Sequence, residues 1–175
     1  MNSNCTVRAL GVADAEAWAR LRKEALQNHP LAFGASVPDD PEQLLEIARD
    51  RLQPSDEGVV FGAFSENALV GIVGIRRHAG LKERHNSGIW GMYVSVQSRR
   101  NGAGEILLRA AIERARSWSG MEQVELAVND VAQDALRLYE RCGFRTWGRY
   151  PRAISWEGRY SDGIHMVLDL RESVV

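Results

Sequence analysis

Ile89-Trp90-Gly91-Met92-Tyr93-Val94-Ser95-Val96 is an apolar run that reads as a buried strand, and Gln97-Ser98-Arg99-Arg100-Asn101-Gly102-Ala103-Gly104 follows it directly. From Glu105 to Trp118 apolar residues then recur at helical spacing. A strand, a glycine-rich turn and a helix in that order leave backbone N–H groups, clear of side chains, at the positive end of a helix. Such an end receives phosphate. Arg99 and Arg100 add positive charge and donors suited to phosphate oxygens. Both glycines would equally serve a plain tight turn, and surface arginines are common; the combination is what points to a phosphorylated ligand.

Several families share glycine-rich turns, so the ligand is decided by the details. A P-loop ends Gly-Lys-Ser/Thr, whereas this turn ends Gly104-Glu105-Ile106, with no lysine and no hydroxyl for magnesium. The dinucleotide pattern requires a third small residue three positions after the second glycine, where Leu107 stands. An acidic residue does follow at a suitable distance (Glu125 or Asp130), which weakens that alternative without eliminating it. Its strand, however, runs almost directly into the first glycine, and here the basic segment 97–101 intervenes.

The pattern met by Arg99, Gly102 and Gly104 is Arg-x-x-Gly-x-Gly, followed by Ile106-Leu107-Leu108. It resembles the acyl-CoA signature of the GNAT superfamily of N-acetyltransferases. Downstream, Ala135-Leu136-Arg137-Leu138-Tyr139-Glu140-Arg141-Cys142-Gly143-Phe144 is similar to a second segment of that family. The resemblance covers residues 59–170. It implies one α/β domain over 1–175, built on a central mixed, mostly antiparallel twisted sheet of about six or seven strands with about four helices. It also implies acetyl-CoA as cosubstrate, held by backbone groups of Met92, Tyr93 and Val94 and by the turn of Arg99, Arg100, Asn101, Gly102, Ala103 and Gly104. Tyr139 takes the place of the tyrosine that donates a proton to the departing thiolate. A phenol near pKa ~10 suits a thiol near ~8.5. On its own, a tyrosine in an apolar helical stripe is a packing residue.

Two positions depart from the family. An asparagine often found seven residues before the tyrosine is Ala132 here; Asn129 is the candidate to replace it, with a plain role at the helix start as the alternative. An acid used by some members as a base, twelve before the tyrosine, is Ala127.

The remaining composition sets bounds. A chain of 175 residues with 45% hydrophobic and 26% charged residues is ordinary for one soluble globular domain. A net charge of −1 provides no bulk attraction to nucleic acid or anionic membrane. Cys5 and Cys142 form neither a disulfide framework nor a metal spacing, which suits a reducing cytoplasm. No apolar leader segment follows Met1, and the longest apolar stretches, 59–64 and 68–75, are too short to span a bilayer. His29, His78, His85 and His165 lack paired ligand spacing, so no metal is expected.

Along the chain, residues 6–10 read as a strand. Asp14 reads as the cap of a helix reaching about Asn28, with Trp18, Leu21 and Ala25 on one face. A second helix is expected over 40–52, with Leu44, Leu45, Ile47 and Ala48 as its apolar positions. Runs 59–64 and 69–75, joined by Ser65-Glu66-Asn67, read as a hairpin. Residues 76–87 form a polar loop, 124–128 a strand, and 130–142 a helix opened by Asp130 and Gln133 as a capping box. Glu105, Arg109 and Glu113 can pair along the exposed face of the 104–118 helix. The tail, 146–170, reads as two strands.

The expected activity is transfer of an acetyl group from acetyl-CoA to a primary amine of a small molecule or peptide, by direct attack in a ternary complex. The acceptor region would include Phe33, Asp39, Asp40, Trp156, Tyr160 and Asp162. Arg145, Arg149, Arg152 and Arg159 nearby suit an acidic acceptor equally well. His78, His85, Glu83 and Asp162 are candidate bases, each also readable as a solvated loop residue. A homodimer is compatible with these features. The alternatives are a non-catalytic CoA-binding module and a dinucleotide-binding protein.

Overall fold

The computed structural model describes residues 5–171. Its strands are β1 (Cys5–Ala9), β2 (Gly58–Ser65), β3 (Ala68–Arg77), β4 (Asn86–Val94), β5 (Gln123–Asn129), β6 (Arg145–Trp156) and β7 (Arg159–Asp169). They form one seven-stranded sheet in the order β1-β2-β3-β4-β5-β7-β6. Every neighbouring pair is antiparallel except β4 and β5. The helices are α1 (Ala15–Asn28), α2 (Leu45–Arg51), α3 (Ala103–Arg116) and α4 (Gln133–Arg141). The expected mixed, mostly antiparallel sheet with four helices is the architecture observed.

The helices cover the sheet from two sides. Leu107, Leu108, Ala111, Ile112 and Ala115 of α3 pack with Val73 and Ile75 of β3, Val124 and Leu126 of β5, and Ile164 and Met166 of β7. Trp18, Leu21 and Ala25 of α1 pack with Ala48 of α2 and with Val60, Ile72 and Tyr93 on the opposite face. Burying a side chain of this size contributes roughly 1.5–3 kcal/mol, so the two apolar stripes fix both helix layers to the sheet.

Several local expectations are corrected. Asp14 stands at the N-cap position of α1 as expected, but its side chain does not bond the helix: the carboxylate accepts the Gly11 N–H at 2.9 Å and a two-pronged bond from Arg8 at 2.8 Å. The 40–52 segment is not one helix. Pro41–Gln43 makes a single 3-10 turn, Leu44 is extended (ψ 121°), and the helix restarts at Leu45. Pro41 disfavours helical backbone at Asp40, which is extended (ψ 106°), and the Asp40 carboxylate accepts from Arg22 (2.8 and 2.9 Å) and Gln43 (2.9 Å). Leu44 and Leu45 are consequently exposed, not core positions. The first hairpin turns on Glu66 and Asn67 alone, both at positive φ, with Ser65 still in β2. Asp130 and Gln133 form no capping box: α4 begins after Ala132, and the Asp130 carboxylate accepts the Asp162 N–H at 3.1 Å. On α3, Arg109 pairs with Glu105 at 2.8 Å, while Glu113 turns to Arg116.

Candidate functional site

The sheet divides at its centre. β4 and β5 pair through only three rows, Asn86–Gln123, Ser87–Val124 and Gly88–Glu125. Beyond Gly88 the two strands part, leaving β4 from Ile89 to Val94 and β5 from Leu126 to Asn129 without each other as partners. A bulge deforms β4 within the parting: Ile72 faces Tyr93 and Gly74 faces Trp90, so Gly91 and Met92 share the place opposite Val73. Gly91 has φ +60°, the left-handed conformation that glycine adopts without cost from a Cβ.

The bulge also sets which side chains point where. Trp90 and Tyr93, three residues apart, both belong to the α1 side, whereas Met92 and Val94 belong to the α3 side. The Tyr93 ring lies against Phe33 and His29, and its hydroxyl donates to Glu24 Oε1 at 2.9 Å. Its side chain is therefore a packing element, and only its backbone faces the fork.

At the far end of β4 the glycine turn leads into α3. Arg100 (φ +64°) and Gly102 (φ +81°) both take the left-handed conformation. No side chain caps the helix, and its first turn bond runs from the Ile106 N–H to the Gly102 carbonyl at 3.1 Å. The N–H groups of Ala103, Gly104 and Glu105 precede it and have no acceptor within the helix. A Cβ on Gly104 would stand 3.3 Å from Leu138 Cδ2 and 3.6 Å from Met92 Cε. Glycine there lets α3 approach α4 and β4 together.

Arg99 turns inward. Its Nε donates to the Val94 carbonyl at 3.0 Å, its Nη2 lies 2.8 Å from His29 Nε2, and its guanidinium sits 5.5 Å from the Tyr93 ring centre. Burial, and then the Arg99 charge, hold the His29 imidazole below its ordinary pKa. Arg99 thus ties the end of β4 to the end of α1.

Tyr139 is buried in α4, edge-on to Phe144, and donates to Met92 Sδ at 3.4 Å. Burial raises its phenol above the ordinary value and keeps it protonated. Met92 therefore touches both sequence motifs. Asn129, also buried, ends β5; its Nδ2 donates to Ser161 Oγ at 3.1 Å, and Ser161 donates to the Leu31 carbonyl at 2.8 Å. This relay joins the α1–α2 connection to the β6–β7 hairpin, the two regions expected to meet around an acceptor.

The candidate bases are distributed differently. Asp162 is engaged by Arg149 Nε at 2.7 Å and the Arg152 N–H at 2.7 Å, which hold its carboxyl below the usual range. Asp39 is engaged by Ser36. Glu83 and His85 lie in the β3–β4 connection, where the His85 carbonyl accepts from Glu122. His78, instead, reaches Glu125 on β5, with Nε2 3.2 Å from Oε1. The sequence reading missed that pair, because the partners stand forty-seven positions apart and only the β3-β4-β5 order brings them together. It also missed a buried charge cluster: Arg22 binds Asp40 and lies 2.7 Å from Glu42, and Arg51 meets Glu42 at 2.9 Å.

Comparison with known proteins bears on this geometry. The Acetyltransferase (GNAT) family profile matches residues 18–144, a span holding the fork, the glycine turn and Tyr139. The chain belongs to the GNAT acetyltransferase family. It is 31% identical over 138 residues to a mycothiol acetyltransferase of Thermobispora bispora, covering 77% of this chain and 44% of that protein. The chain thus spans less than half the length of the curated relatives it matches. Among solved structures, the Salmonella typhimurium protein yncA, with its cofactor acetyl-CoA, superposes with a TM-score of 0.82 at 21% identity, covering 98% of this chain and 96% of that one. A phosphinothricin acetyltransferase of Sinorhizobium meliloti, in complex with AcCoA, gives a TM-score of 0.82 at 19% identity, with 95% and 89% covered.

Proposed function

We propose that this chain is an acetyl-CoA-dependent N-acetyltransferase acting on a primary amine of a small molecule or peptide by direct attack in a ternary complex. The observation that carries the reading is Met92: one side chain spans the gap between the glycine turn at Gly104 and the phenol of Tyr139, at the point where β4 and β5 part.

The residues present fit the cosubstrate. The amides of Gly102, Ala103 and Gly104 at the α3 terminus receive the pyrophosphate, with Arg100 and Asn101 flanking it. Arg99 serves the same site by fixing the Val94 carbonyl and the loop that follows. Backbone groups of Met92, Tyr93 and Val94, freed from β5 by the fork, hydrogen-bond the acetyl and pantetheine. Asn129 lines the other arm of the fork, with one N–H already engaged by Ser161. When bound, the thioester supplies an activated carbonyl, so holding an amine beside it provides much of the acceleration. Tyr139, kept protonated by burial, gives its proton as negative charge develops on sulfur.

Neither cysteine suits an acyl-enzyme route. Burial pushes the Cys142 thiol up, away from thiolate. Calorimetry should show CoA binding and neither NAD nor ATP binding. Thiol release across a panel of amines, amino acids and peptides then tests catalysis. CoA binding with silence across the panel would favour a non-catalytic module.

A further inference from the structure

One ionisable pair at the fork is left unused by this chemistry. Glu125 stands in the last row shared by β4 and β5, opposite Gly88, so it marks the crotch from which the strands part. Its neighbours Val124 and Leu126 are buried in the α3-side core, and alternation along the strand turns Glu125 and Ala127 to the opposite face. On that face α1 and α2 cover β2 to β4, while an open cavity of about 200 Å³ lies over the fork, lined by Gly88, Ile89, Glu125, Ala127, Trp147 and His165 among others. Tyr139 reaches the fork from the α3–α4 face. An amine entering through the cavity would therefore reach the fork from one side of the sheet while the phenol of Tyr139 stands on the other, which keeps a base on the cavity side apart from that acid.

Four carboxylates elsewhere around the expected acceptor region are occupied. Asp162 is held by Arg149 and the Arg152 N–H, Asp40 by Arg22 and Gln43, Glu42 by Arg51, and Glu24 by Tyr93. Among the described residues, Glu125 is approached at one oxygen, by His78 Nε2 at 3.2 Å, and 41% of its side chain is exposed. Gly88 lies beside the pair, where a Cβ would stand in ordinary contact with His78 Nε2 at 3.7 Å.

We infer that Glu125, oriented by His78, is the base that takes the proton from the acceptor amine. The inference rests on the acetyl-transfer reading above. The amine lone pair forms the N–C bond while the C–S bond breaks. The proton lost by nitrogen passes to the Glu125 carboxylate, directly or through water, and from there to solvent; the thiolate takes its proton from Tyr139. Nitrogen becomes strongly acidic as the N–C bond forms, so a carboxylate can accept its proton. His78 is a positioning residue: its Nε2 stands 3.2 Å from Glu125 Oε1, beside the cavity that Glu125 lines. The charged and titratable groups facing the pair are Arg76 of β3, in the row of Gly88, Arg145 of β6, in the row of Val167, and His165 and Asp169 of β7.

The test is the pH dependence of thiol release by the full chain with the best amine of the panel, alongside CoA affinity by calorimetry. Glu125→Gln should lower kcat about 100-fold and remove the acid limb of the kcat profile, with CoA affinity within about threefold. Glu125→Asp, which keeps the carboxylate, should recover part of the loss and restore the limb. His78→Gln should shift the limb and lower kcat by about tenfold, less than the loss of the base itself. Unchanged turnover and an unchanged acid limb in Glu125→Gln, in a chain that still binds CoA, would overturn the assignment while leaving the acetyl-transfer reading intact. Absence of both CoA binding and thiol release in the unaltered chain would instead remove that reading, and the base with it.

Discussion

Tyr139 on α4 donates its hydroxyl proton to Met92 Sδ on β4 across 3.4 Å, a weak bond to a soft acceptor in a buried setting. Thioether sulfur accepts poorly, so the phenol is satisfied only loosely and is ready to turn to a better acceptor. In the proposed reaction a developing thiolate at the fork would be such an acceptor.

Tyr139→Phe removes the donor and leaves the ring that packs on Phe144. Turnover should fall about 100-fold, with CoA affinity within a few-fold, because the hydroxyl matters chiefly when charge develops on sulfur. Steady-state kinetics paired with calorimetry measure the split. Full activity in the variant would return Tyr139 to a packing role.

The glycine turn is open to a similar test. Gly104→Glu sets a carboxylate at the helix end and a Cβ 3.3 Å from Leu138, and CoA binding should disappear. Gly102→Ala, at φ +81°, should cost about 1–2 kcal/mol of stability, read from the urea midpoint. Retained CoA affinity in the Gly104→Glu variant would move the pyrophosphate elsewhere.

His29 carries a pH signature. Its folded pKa is lowered, first by burial and then by Arg99. The unfolded chain therefore binds the extra proton more readily, and stability is fully present above about pH 6.5 and declines as pH falls below it. Protonation also turns the Arg99 contact from a hydrogen bond into a repulsion. In His29→Gln, which retains an acceptor for Arg99, this part of the acid decline should vanish from urea midpoints measured between pH 7.5 and about 5. An equal slope in both chains would place the proton uptake on another group.

Arg22 is the cation shared by two buried carboxylates, Asp40 and Glu42. Arg22→Met should destabilise the fold by about 3–5 kcal/mol, since it strands charge in the interior. Burial works to raise the Asp40 pKa, but hydrogen bonds from Arg22 and Gln43 outweigh it and hold the carboxyl below its usual value. That contribution is present above about pH 4 and is lost as pH falls through the depressed folded value. The gap between the two chains should consequently narrow in acid, as urea titrations at pH 7 and pH 3 would show. A constant gap would mean that Arg22 acts through packing alone.

Much of this protein is written locally in its sequence. The turn from Arg99 to Gly104 depends on residues within a few positions of one another, and so does the stripe Leu107, Leu108, Ala111, Ile112, Ala115 that places α3 on the sheet. Periodicity and glycine placement are short-range signals, so the strand–turn–helix unit and the Tyr139 segment were legible before any fold was known. The tertiary structure decided what depends on distant partners. The Asp40 carboxylate finds its cation in Arg22, eighteen positions away on α1. Tyr93 turns its ring away from the fork because the bulge at Gly91 shifts the strand's alternation by one residue. Glu125 meets His78 because the sheet order sets β5 and the end of β3 on either side of β4. Side-chain direction across a bulge and the choice among competing charged partners are settled by the whole packed sheet, and no local stretch of sequence contains them.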